Sequence, residues 1–153
     1  MKNTIKLSVR NLVEFIMRSG DIDNTFTSSN KRAVEGTLGH GKVQKSYEKG
    51  YKSEVKLKHL IDHGEYSIEL QGRADGIFES PHQVIIDEIK TTTKDLATIT
   101  NEYNPQHWAQ AKCYGYIYGV QNSLETIKIQ VTYFHLETEE TKKLIEEYTI
   151  FPT

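Results

Sequence analysis

The chain has 153 residues, 37% of them hydrophobic and 26% charged, with a net charge of −2. That length suits one domain with its own core, and no apolar run approaches the ~18 residues of a membrane span. The single cysteine, Cys113, excludes an internal disulfide and any four-cysteine zinc or iron–sulfur centre within the chain.

Met1 to Lys6 lead into a polar segment with no secretory signal, so a reducing cytoplasm is the expected compartment. Ser8 is a suitable N-cap for a short helix, Val9 to Met17, with Leu12, Val13, Phe15 and Ile16 as its apolar surface. Asp21 to Asn30 is polar and reads as a loop. A second helix is expected from Lys31 to Glu48. Val34 and Leu38 mark one stripe, and Ala33, Thr37 and His40 a neighbouring row. Gly36 and Gly39 weaken this helix but leave room for close packing.

From Lys52 the period changes to two, which predicts a half-buried strand. Asp62-His63-Gly64-Glu65 is a hairpin turn, and Tyr66 to Phe78 forms the return strand. Gln83 to Thr91 follows. Its Val-Ile-Ile stretch is apolar on both faces and belongs in the middle of a sheet. Thr92 to Asn104 is polar and is expected to be mobile. Pro105 opens the strongest helix, which runs to Val120 with Ala109, Cys113, Tyr116, Ile117 and Val120 as its stripe. Glu125 to Leu136 and Lys143 to Phe151 read as an antiparallel pair of strands. The order α-α-β-β-β-α-β-β predicts one α/β domain over 1–153, a mixed sheet flanked by helices.

Three fragments concentrate the chemistry: Gly72-Arg73-Ala74-Asp75, the Asp87-Glu88-Ile89-Lys90 end of the apolar strand, and Gln110-Ala111-Lys112-Cys113-Tyr114 on the best helix. Strand parity puts Glu88 and Lys90 on one face, with Asp87 and Ile89 on the other. A hairpin brings Asp75 beside Glu88. Two carboxylates that close repel unless a cation lies between them, and such oxygen ligands suit magnesium or manganese. A metal held there activates water and polarises a phosphate, and Lys90 stabilises the developing charge. The plain alternative makes Asp75 and Glu88 surface acids at strand ends, with Lys90 as an ion-pair partner.

Asp75, Glu88-Ile89-Lys90, Gln110 and Tyr114 together resemble the PD-(D/E)xK nuclease superfamily in its RecB-type branch. Gly36-Thr37-Leu38-Gly39-His40 is similar to that branch's upstream histidine helix. The resemblance covers residues 36 to 118. It implies a restriction-endonuclease-like core and a deoxyribonuclease that uses Mg2+ or Mn2+. By the same resemblance His40, Asp75, Glu88 and the Ile89 carbonyl are metal ligands and Lys90 is the catalytic lysine. Gln110 and Tyr114 contact DNA or orient Lys90. Arg73 and Lys112 are candidate phosphate contacts. The motif's leading proline is replaced by Ala74, and the iron–sulfur cluster of some branch members has no cysteines to hold it here.

Ser8 to Phe15 and Asn104 to Tyr114 further resemble the N-terminal nuclease-like domain of bacterial DinG-like helicases. That implies a helicase motor as a linked or associated partner and a place in DNA repair or recombination. The chain carries no Gly-x-x-x-x-Gly-Lys-Ser/Thr loop of its own. Two other readings stay open. Lys42, Lys45, Lys49, Lys52, Lys56 and Lys58, interspersed with Glu48 and Glu54, suit either a solvated face or a non-catalytic DNA-guiding module. The strand Glu125 to Leu136, if at a sheet edge, suits an interaction domain. Trp108, Tyr116 and Tyr118 are either base-stacking or core and rim aromatics, and His107 carries no assignment.

Overall fold

Alternating and fully apolar stretches place the strands of this chain, and capping residues and proline place its helices. The computed structural model describes residues 3–18, 30–47 and 49–150, with the side chains of the second stretch from Glu35 onward. Of the loop expected over Asp21 to Asn30, residues 21–29 lie outside the described residues, as does the side chain of Val34, whereas the Asn30 backbone is helical.

The strands are β1 (Asn3–Ser8), β2 (Tyr51–His63), β3 (Tyr66–Glu79), β4 (Val84–Thr92), β5 (Thr126–His135) and β6 (Thr141–Thr149). The helices are α1 (Val9–Ile16), α2 (Asn30–Ser46) and α3 (Pro105–Gln121). The sheet is mixed, in the order β1-β3-β4-β5-β6, with β2 on the other side of β3. The α/β expectation holds, and the Val-Ile-Ile strand is central. α1 and α3 pack together on one face, and α2 lies against β4. Among the described residues no helix is long and apolar enough to cross a membrane.

The sheet forks at β3. Residues Tyr66 to Gln71 pair in parallel with β1, and Gly76 to Glu79 pair antiparallel with β4. Between these stretches the edge of β3 has no strand partner among the described residues, and Asp75 lies there. The strand also rotates at that point. Ala74 and Ile77 both enter the main core cluster, which strict alternation forbids for residues three apart. Opposite, the Glu54–Asp75 pair is missing from the β2 ladder, and Glu54 has a left-handed φ of 54°. The irregularity opens the sheet where the acids gather.

The local signals act as their chemistry dictates. The Asn11 amide donates to Ser8 Oγ at 3.0 Å and caps α1, and the Gln106 amide donates to Asn104 Oδ1 at 3.0 Å and caps α3 beside Pro105. The main core gathers Ile77, Ile86, Trp108, Ala111, Ile117 and Ile129 between the sheet and α3. Burying one such aliphatic side chain contributes about 1.5–3 kcal/mol. Val43, Ile89 and Phe134 form a smaller cluster under α2.

Five expectations are corrected. β1 is a strand at a position read only as polar. The face α2 turns to the sheet carries Gly39 and Val43, whereas Leu38 is exposed. A Cβ on Gly39 would come within 2.8 Å of Thr91 Cγ2, so the glycine is what lets the helix approach. On α3, Tyr116 is 52% exposed, while Trp108 and Ala111 are core. The segment after β4 is pinned: Ile99 is fully buried, and Lys142 Nζ donates to the Leu96 and Ile99 carbonyls at 3.0 and 2.7 Å. β5 runs between β4 and β6, so it offers no free edge.

Candidate active site

Strand parity on β4 sends Glu88 and Lys90 toward α3 and Ile89 into the small cluster under α2. Lys90 Nζ lies 3.1 Å from Glu88 Oε1 and donates to Gln110 Oε1 at 2.7 Å. Gln110 and Tyr114 are one turn apart on α3, both buried. Tyr114 lies against β3 at Gly72, where a Cβ would stand 2.7 Å from its ring. The glycine of the Gly-Arg-Ala-Asp fragment thus makes room for the tyrosine of the third fragment. Burial, with Glu88 and Asp75 nearby, pushes the Tyr114 phenol up to about 12, so it stays a proton donor.

Asp75 closes the fork. The Ile89 amide donates to Asp75 Oδ2 at 2.6 Å, replacing the ladder bond that the diverging strands give up. Amide and carbonyl of one strand residue point to the same side, so the Ile89 carbonyl faces the gap too. From α2, His40 Nδ1 lies 3.6 Å from Asp75 Oδ1. The Asp75 carboxylate holds His40 above its ordinary pKa against the opposing effect of burial. The open sheet edge is what allows groups from both faces to meet.

Glu88 is the outlier of the set. Its Oε1 is held by Lys90, but its buried Oε2 has no hydrogen-bond partner among the described residues. Burial, then the Asp75 charge, raises its pKa, and Lys90 only partly offsets them. An orphaned carboxylate oxygen is costly in a protein interior. It is the oxygen here that a cation would satisfy.

Among the described residues no three His, Cys, Asp or Glu side chains form a ready-made metal cage, and Lys90 and the Ile89 amide each engage one carboxylate oxygen of the pair. The donor set of carboxylates, one carbonyl and one imidazole nevertheless fits a hard divalent cation.

The structure therefore brings together His40, Asp75, Glu88, Ile89, Lys90, Gln110 and Tyr114. Arg73 projects beside the cluster, exposed, 3.7 Å from Glu54. Lys112 is not brought to it: its ammonium lies over the Tyr148 ring of β6, 4.7 Å from the centroid.

Sequence reasoning missed two groups. Gln44 donates to the Asp75 carbonyl and to Glu54 Oε1, both at 2.9 Å, and bridges the irregular part of the β2–β3 ladder. His107 meets Tyr133 OH at 2.8 Å, and burial with the Lys90 charge brings its pKa down to about 4. Tyr133 is the β5 residue opposite Lys90, so His107 stands on the flank of the site. Neither carries a motif; only the position of His107 three residues before Gln110 hinted at it.

The fold and site together define an α/β domain with a forked mixed sheet and a buried acid–lysine cluster at the fork. Neither a protein-family model nor a curated protein matches the chain. Solved structures do match: 15 chains, so the fold is not peculiar to this sequence. One is the crystal structure of SSO0001, with a TM-score of 0.62 and 20% identity, covering 97% of this chain and 69% of that one. At that identity the likeness establishes the fold.

Proposed function

We propose that this chain is a metal-dependent DNA nuclease domain of the PD-(D/E)xK type, with Mg2+ or Mn2+ as cofactor and a role in DNA repair or recombination. The observation that carries the reading is the meeting of His40, Asp75, Glu88 and Lys90 at the fork, with one Glu88 oxygen left unsatisfied. Asp75, Glu88, His40 and the Ile89 carbonyl would hold the ion. An ion held there would supply a water of lowered pKa and a Lewis acid for the scissile phosphate.

The residues of the chain do the rest. Asp75 and Glu88 supply the negative charge that selects a divalent cation. Lys90 offers its ammonium to the phosphate oxygen on which charge develops. Gln110 fixes the direction of Lys90, and Tyr114 donates its phenol proton to the DNA backbone. A helicase motor as covalent or associated partner belongs to the same proposal.

The test is digestion of labelled single- and double-stranded DNA with Mg2+, Mn2+ or EDTA, wild type beside Lys90→Ala and Asp75→Ala. Cleavage that needs metal and disappears in both variants is expected. Undiminished cleavage by the variants, or no cleavage by wild type with either metal, overturns the reading.

A further inference from the structure

The lysine-dense stretch is divided by the fold. Lys42 pairs with Glu139 of the β5–β6 turn, and Lys52 pairs with Glu79 at 3.3 Å. Among the described residues, Lys56 and Lys58 have no ion-pair partner. Both are exposed on β2, and the register sets Lys56 directly opposite Arg73 and Lys58 opposite Gln71. Like charges facing each other across a ladder are destabilising. Glu54, 3.7 Å from Arg73, relieves this only in part.

The three cations surround a groove of about 290 Å3, whose other walls include Gln71 and Ser8. Ser8 is in turn opposite Gln71 on β1, so the groove crosses three strands on one face of the sheet. Acids do reach this face: Glu54 at Arg73, and Glu69 opposite Lys6 further out. The stretch from Lys58 to Arg73 remains cationic in a protein whose net charge is −2.

The spacing adds direction. Lys58 and Lys56 are two residues apart, and so are Arg73 and Asp75. In a strand two residues advance about 6.8 Å, which is the scale of one nucleotide's backbone repeat. Lys58, then the Lys56–Arg73 pair, then Asp75 are therefore successive steps toward the candidate active site. The site is open to the same side: of its side chains His40, over Asp75, is the most exposed at 31%, against 7% for Glu88.

We infer that this face is a phosphate track that holds one backbone strand of DNA and feeds it toward Asp75, one phosphate per two-residue step. The inference rests on the nuclease reading for what happens at the end of the track, but not for the binding itself.

The test is fluorescence anisotropy of the full chain with a labelled single-stranded oligonucleotide in EDTA, across a salt series. The slope of log K against log salt counts the phosphates neutralised, about 0.7 to 0.9 per contact. Lys56→Ala/Lys58→Ala is expected to flatten it by about 1.5, and Lys42→Ala/Lys52→Ala to leave it unchanged. Circular dichroism checks that the exposed substitutions leave the fold intact. An unchanged slope in Lys56→Ala/Lys58→Ala, or no binding by wild type at low salt, overturns the track. A flattened slope in a protein that cleaves nothing with any metal leaves the track standing and removes the nuclease.

Discussion

Asp87 and Glu88 are consecutive carboxylates on the central strand, both buried, and the fold treats them in opposite ways. Asp87 faces the α2 side, where Thr132 donates to its Oδ1 at 2.6 Å, Gln130 at 3.0 Å, and Tyr51 to its Oδ2 at 3.1 Å. Both of its oxygens are engaged by neutral donors, although burial still raises its pKa. Glu88 faces the α3 side with a lysine on one oxygen and nothing on the other. A carboxylate with its hydrogen bonds complete is architecture. One left incomplete, beside a second acid and a lysine, is a reservoir of unfavourable energy that a ligand can release.

The strongest way to break this comparison is to remove the Glu88 charge. Glu88→Gln should lower metal-dependent cleavage by about 10³-fold, as the loss of one electrostatic element at an active site does. The same change should raise the unfolding free energy of the metal-free protein by about 1 kcal/mol, because burial and the Asp75 charge disfavour the Glu88 carboxylate more than Lys90 favours it. Cleavage kinetics and urea denaturation in EDTA read the two effects. Wild-type cleavage, or a destabilised fold, would make Glu88 another structural acid.

Asp87→Ala should give the reverse. It removes the acceptor that Thr132, Gln130 and Tyr51 share, leaving the buried Thr132 hydroxyl without its 2.6 Å bond, and should cost about 3 kcal/mol. The molecules that remain folded should cleave DNA at a near-normal rate, since Asp87 points away from Lys90. Activity normalised to the folded fraction, taken from the denaturation curve, checks this. A loss of specific activity comparable to that of Glu88→Gln would abolish the distinction.

Two glycines on β3 sharpen the contrast at smaller scale. A Cβ at Gly76 would stand 1.9 Å from Tyr51 OH, and one at Gly72 would stand 2.7 Å from the Tyr114 ring. Gly76→Ala should therefore disturb the donor of Asp87 and cost about 2 kcal/mol of stability, in the range of overpacked sites. Gly72→Ala should push Tyr114 from the site and lower cleavage about 10-fold, with a smaller loss of stability. Equal effects of both on both readouts would show that the two sides of β4 are not separate.

The separation of Asp87 from Glu88 was legible before any coordinates, because side-chain parity on a strand is a local rule and Lys90 fixed the register. Asp75 could be placed beside Glu88 by the hairpin that joins their strands, whereas His40, Gln110 and Tyr114 were picked out by the resemblance to the RecB-type nuclease branch and not by spacing alone. β1 was not legible. It is a short edge strand, mostly exposed, and its Ile5 and Leu7 are too few to set a period. Nor was the anchoring of the segment after β4, which depends on Lys142 reaching back more than forty residues. The sheet-facing side of α2 was misread because glycine at position 39 works by its absence of a side chain, which hydrophobic patterning cannot see. Most of all, the fork of β3 is a property of three strands together, and no single stretch of sequence contains it.

His107 offers the finest test, because it sits beside Lys90 of the candidate site yet behaves like Asp87. It is hydrogen-bonded to Tyr133 and edge-on to Tyr103. Its pKa falls from 6.5 to about 4, through burial and then the Lys90 charge. Above pH 6.5 the imidazole is neutral folded or unfolded, and nothing is lost. Between 6.5 and about 4 the unfolded chain takes up a proton that the folded one refuses, so stability falls as pH falls through that window. With solvent screening of this partly exposed ring, the loss should be about 1 kcal/mol. His107→Gln has no titrating group, so the unfolding free energy of wild type minus that of the variant should fall by that amount from pH 7.5 to pH 4.5. A constant difference would mean that the ring is protonated in the folded protein as readily as outside it. In that case the positive charge of Lys90 would not reach across the α3 side of the site, and the electrostatic isolation that sets Glu88 apart from Asp87 would lose its second support.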